Sequence, residues 1–151
     1  MVTPEDLLAA AEKFLLAQPL DEAHVRAAIS RAYYAAYHAA YAFHGELPLP
    51  GRLSDRPGGE HENLIQRLER PDPRLHDEVT RISKLLAVRL RAMRDVRLRA
   101  DYKLQTDVIA EEARKIIIQA RGVLQICKDG TGKLASLGAQ SQTLKPGTEP
   151  K

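Results

Sequence analysis

The chain has 151 residues, a formal net charge of +3 and a single cysteine. That is the length of one ordinary domain with a core of its own, and a lone cysteine excludes an internal disulfide. Ala, Leu and Arg abound, β-branched runs are few and aromatics make up only 5%, which disfavours β architectures and points to an all-α chain.

Thr3 is a good N-cap with Pro4 at the first helical position, and Leu7, Leu8, Ala11, Phe14 and Leu15 recur at helical spacing. This predicts a first helix ending near Pro19. Asp21 caps a longer second helix to about His44, stopped by Gly45, Pro48 and Pro50. Gly51, Pro57, Gly58 and Gly59 predict a flexible loop over 45–60. A short helix follows from His61 to about Arg70, then a basic helix from about Pro73 to Ala100. Thr106 or Asp107 starts a last helix, predicted to end near Cys127. After Gly130 the composition turns to Gly, Ser, Thr, Gln, Lys and Pro. Residues 1–128 are thus read as the folded domain and 129–151 as a disordered, flexible tail. The start Met-Val-Thr-Pro does not resemble a secretory signal, and no apolar run nears the roughly 20 residues of a membrane span, so a cytoplasmic chain with no membrane contact is expected.

The second helix is apolar on two sides, as the centre of a bundle would be. Val25, Ile29, Ala32, Ala36, Ala39 and Phe43 make one stripe; Ser30, Tyr34, Tyr37 and Tyr41 make another. Arg31, Ala35 and His38 are left for a narrow third face. Tyrosine hydroxyls in such a place need polar partners, and arginines of the basic helix are the natural ones.

Between Arg81 and Arg99 stand Arg81, Lys84, Arg89, Arg91, Arg94, Arg97 and Arg99 against Asp95 alone. Arg81, Lys84, Arg91 and Arg99 read as a solvated face. The stripe Ile82, Leu86, Leu90, Met93, Val96, Ala100 and Leu104, however, contains Arg97, with Arg89 near its middle and Arg94 and Asp101 on its flank. An unanswered buried charge costs several kcal/mol, so these arginines must meet a carboxylate, an interface or a polyanion, RNA first among them. A two-fold seam along this helix would set Arg89 and Arg97 against their symmetry mates, making a homodimer with a basic cleft for a phosphate backbone.

Ser30-Arg-Ala-Tyr-Tyr-Ala-Ala-Tyr-His-Ala-Ala40, then His61-Glu-Asn-Leu-Ile65, then Arg97-Leu-Arg-Ala-Asp-Tyr102, in that order, resemble the HEPN domain over roughly residues 5–128. The resemblance implies an antiparallel four- to five-helix bundle that usually dimerises and often binds RNA or nucleotides. Many such proteins are metal-independent endoribonucleases, acting in defence or as toxins paired with a nucleotidyltransferase-like antitoxin. Their catalytic Arg is followed closely by a His. By the resemblance Arg97, helped by Arg94, takes the place of the cation that steadies a phosphorane.

The chain departs from that pattern. It has no His after His76, so Asp101 and Tyr102 stand where the base is expected, and His61 is the best substitute. Arg97 and Asp101 at i, i+4 also have the spacing of a plain salt bridge. In related toxins a tyrosine near this motif is nucleotidylated by the antitoxin, which gives Tyr102 a second reading. Three readings follow. The first is a module that holds RNA, a nucleotide or a nucleotidyltransferase-like antitoxin through Ser30, Arg31, Tyr34, Arg89, Arg94 and Arg97. The second is a metal-independent endoribonuclease using Arg97, Asp101 and Tyr102, assisted by Arg94 and His61. The third is a structural helical subunit. The missing histidine favours the first. His24, His38, His44 and His76 have no metal-ligand spacing, and no cofactor is expected.

Overall fold

A computed structural model describes residues 1–139; the predicted tail over 140–151 lies outside the described residues. The chain is all-α, with α1 (Pro4–Phe14), α2 (Glu22–Gly45), α3 (Glu60–Glu69), α4 (Asp77–Tyr102) and α5 (Ala110–Ala139). Thr3 closes a capping box on α1: its hydroxyl accepts from the Asp6 N–H at 3.1 Å, and the Asp6 carboxylate accepts from the Thr3 N–H at 2.8 Å. α1 stops at Phe14, before the predicted Pro19, because the N–H groups of Leu15 and Leu16 turn back to Glu12 and Lys13. Asp21 caps α2 as expected, accepting from the His24 N–H at 2.9 Å.

The described residues form two compact units, 1–39 with 89–125 and 40–88 with 126–139. In the first, α2 and α4 are antiparallel: Arg26 meets the end of α4, Ser30 meets Asp101 and Tyr34 meets Arg97. Val25, Ala28, Ile29, Ala100, Val108 and Ala113 form a buried cluster, covered by Phe14, Leu15, Leu20, Val96 and Ala110. Alanines on α2 let the neighbouring helix approach closely. Each fully buried Ile or Leu here contributes about 1.5–3 kcal/mol.

In the second unit Phe43, Ile65, Leu68, Leu75, Val79 and Leu86 are fully buried, and the Ser83 hydroxyl donates to the Leu68 carbonyl at 2.8 Å. Two expectations are corrected here. Residues 46–59 are irregular but tied down rather than a loose loop. The Gly51 N–H donates to His44 Nε2 at 3.0 Å, Arg67 Nη1 donates to the Gly51 carbonyl at 3.0 Å, and the buried Gln66 amide holds Ser54 and Arg56. A Cβ on Gly51 would lie 1.8 Å from the Arg67 carbonyl oxygen, so the strap closes only on glycine. The second correction is that α5 does not end near Cys127. It runs on to Ala139, so residues 129–139 are helical rather than tail. Gly130 is in it for contact, not to stop it: a Cβ there would come 2.6 Å from the Phe43 ring and 3.3 Å from Ile82.

Candidate functional site

The Arg97 region lies wholly within the first unit. α4 carries Arg97 on its buried side, with only 9% of the residue exposed. Its Nη2 donates to the Tyr34 hydroxyl at 2.9 Å, the arginine partner that the tyrosine stripe called for. Its Nε lies 2.7 Å from Asp101 Oδ2, one helical turn on, but the N–H is not directed along that contact, so this is an ion pair without a hydrogen bond. The Ser30 hydroxyl donates to the same Oδ2 at 3.2 Å. The guanidinium carbon stands 5.8, 5.1 and 5.4 Å from the ring centres of Tyr33, Tyr34 and Tyr102. Three π systems and one carboxylate thus answer a charge that the apolar stripe could not tolerate bare.

Tyr33, which sequence reasoning passed over, is fully buried at the centre of this cluster. Burial holds its hydroxyl well above the usual phenol range, against the opposing pull of Arg94 and Arg97. Tyr102 closes the other side of the guanidinium and stays 69% exposed, so one ring is offered to solvent while the cation behind it is covered.

What keeps Asp101 and Tyr102 in place is the end of α4, and here Arg26 was missed. Its Nη1 donates to the Ala100 carbonyl at 2.8 Å and reaches those of Arg99 and Lys103 at 3.4 Å. Its Nη2 donates to Thr106 and Leu104 and pairs with Glu22. The orphan carbonyls of a helix C-terminus, with their partial negative charge, are what a guanidinium satisfies. Arg99 adds a second tie, pairing with Glu112, whose other oxygen accepts the Ile109 N–H at 3.1 Å ahead of α5. The i, i+4 spacing of Glu22, Arg26 and Ser30 was the legible signal for Arg26.

His38 was also set aside. Its exposed ring stacks on Tyr34, centres 6.2 Å apart and planes 26° apart, and meets Tyr37 edge-on at 5.2 Å. Arg31 is exposed one turn before Tyr34 on the same face of α2.

The structure does not bring every expected residue together. Arg89 is exposed, not inward: eight residues at 3.6 per turn leave it roughly 80° from Arg97. Its Nη1 instead lies 3.6 Å from where a Cβ would stand on Gly122 of α5. The buried side of α4 is centred on Val79, Ser83, Leu86, Leu90, Met93 and Arg97, a little rotated from the predicted stripe. Leu104 lies past the helix end and is 72% exposed, so it leaves the stripe too. A seam with both Arg89 and Arg97 facing their symmetry mates therefore loses its physical basis. Arg94 is half-buried and near enough to Tyr33 to pull on its hydroxyl. His61 stands in the first turn of α3, in the second unit. Among the described residues no group of three His, Cys, Asp or Glu could hold a metal ion, and no helix is long and apolar enough to cross a membrane.

No family model, no curated protein and no solved structure matches this chain.

Proposed function

We propose that this chain is a HEPN-type module that binds RNA or a nucleotide on the α2–α4 face of its first unit. The observation that carries this is the exposed Tyr102 ring, backed at 5.4 Å by a buried guanidinium that Asp101 and Tyr34 hold still. A nucleobase stacks on such a ring whatever its identity, and Arg31 supplies an exposed cation for phosphate on the same side of α2 as Tyr34. Binding is favoured over cutting because no histidine follows His76 in the chain, and the residue that stands in the base position, Asp101, is tied through its Oδ2 to Arg97 and Ser30. Arg97 acts in this reading as the frame of the site, since its donors serve Tyr34 and its charge serves Asp101.

The test is a gel shift and cleavage assay on a labelled total-RNA pool in EDTA. Wild type is expected to shift RNA without cutting it. Tyr102→Ala should weaken binding roughly 5- to 150-fold, the worth of one lost base stack, and Tyr102→Phe should keep it. Cutting by wild type that disappears in Arg97→Ala and Asp101→Ala would overturn this reading in favour of a metal-independent ribonuclease.

A further inference from the structure

Because α2 and α4 are antiparallel, Tyr102, which follows Arg97 on α4, and His38, which follows Tyr34 on α2, lie in opposite directions from the Arg97–Tyr34 contact. Tyr102 lies 5.4 Å from the Arg97 guanidinium, which lies 5.1 Å from Tyr34, whose ring stands 6.2 Å from that of His38. The inner members are covered: Arg97 is buried and Tyr34 half-buried, while Tyr102 and His38 at the two ends are exposed. Five residues of α4 and four of α2, at about 1.5 Å of rise each, set the two end residues roughly 13 Å apart along the helices, so one base cannot lie on both end rings. Two bases can, joined by a backbone that passes along the inner members. Tyr34 occupies one side of the imidazole, and the exposed remainder of that ring faces solvent.

We infer that His38 is a second stacking station, so that the site takes a single strand of nucleic acid more than one nucleotide long in preference to a lone nucleotide. The inference rests on the nucleic-acid reading above and narrows it to a ligand class. A paired duplex keeps its base faces stacked on one another and cannot offer them to Tyr102 and His38 together. His38 suits the task because its ring is rigid, flat and pre-oriented by Tyr34 and Tyr37, which limits the entropy lost on binding.

Calorimetric titration with AMP, with tetra-adenylate and with a short RNA duplex tests it. Wild type should bind tetra-adenylate more tightly than AMP or the duplex. His38→Ala should weaken tetra-adenylate roughly 5- to 150-fold and leave AMP unchanged. His38→Phe, which keeps a ring, should retain most of the affinity. As an exposed side chain, His38 can be truncated without loss of helicity, which circular dichroism would verify. Full tetra-adenylate affinity in His38→Ala would remove the second station and leave the Tyr102 platform standing. An equal loss for AMP and tetra-adenylate, or a loss in His38→Phe as large as in His38→Ala, would also overturn it. No binding of any of the three by wild type would take down the nucleic-acid reading itself.

Discussion

Two side chains show how this fold handles polar groups away from water. The Arg97 guanidinium has Asp101 and three aromatic faces around it in place of solvent. His44 takes the opposite course. Its Nε2 accepts the Gly51 N–H, which requires the neutral ring, and burial together with the nearby Arg67 charge lowers its pKa. The sign of the linkage follows. The folded protein resists protonating His44 while the unfolded chain takes a proton near pH ~6.5, so stability is full above that value and falls as the pH drops below it. Asp6, Asp21, Asp72 and Glu78 all titrate lower than ordinary carboxylates and stay ionised through this window. The urea midpoint of wild type should therefore fall between about pH 7.5 and about pH 5.5, and His44→Gln should show a smaller fall.

At the scale of elements, glycines in α5 separate propensity from packing. Gly130 and Gly132 both lie inside the helix, where glycine costs about 1 kcal/mol relative to alanine. A Cβ on Gly132 meets nothing within 4 Å, so Gly132→Ala should stabilise by up to that amount. A Cβ on Gly130 would press on the Phe43 ring and on Ile82, so Gly130→Ala should destabilise by about 1–3 kcal/mol despite its better helix propensity. Paired denaturation curves read both signs in one experiment. The same competition explains why a composition that reads as tail from Gly130 onward is helical through Ala139. The glycine gives up side-chain contact to let α5 pass close to Phe43, while Leu134 and Leu137 continue the buried stripe. The other element that departs from its local signals is the strap over 46–59, where glycines and prolines do break the helix but Gln66, Arg67 and His44 remove the freedom they would allow.

For the molecule as a whole, the charge balance is mild, at +3, and two of the six arginines of α4 are spent within the fold: Arg97 on Asp101 and Arg99 on Glu112. A low net charge predicts modest salt dependence of RNA binding, with stacking supplying much of the affinity. Arg31→Gln should reduce the slope of log affinity against log salt by about 0.7, the share of one phosphate contact on a single strand, whereas Tyr102→Ala should lower affinity at unchanged slope. Anisotropy titrations at several salt concentrations distinguish these two effects.

The sequence by itself determined that the chain is all-α, where α2 begins and the near extents of α3 and α4, because capping residues, prolines and apolar spacing act locally and leave local marks. It also singled out Arg97 as an arginine that would have to be answered, and Asp101 at i+4 and Tyr34 as partners within reach. The tertiary structure decided the rest. Tyr33 and Arg26 entered the site because an antiparallel neighbour brings Arg97 and the end of α4 against one face of α2, a relation that no spacing along one helix contains. Arg89 left it for the complementary reason. It lies close to Arg97 in sequence, but about 80° around the helix, where α5 rather than α2 is its neighbour.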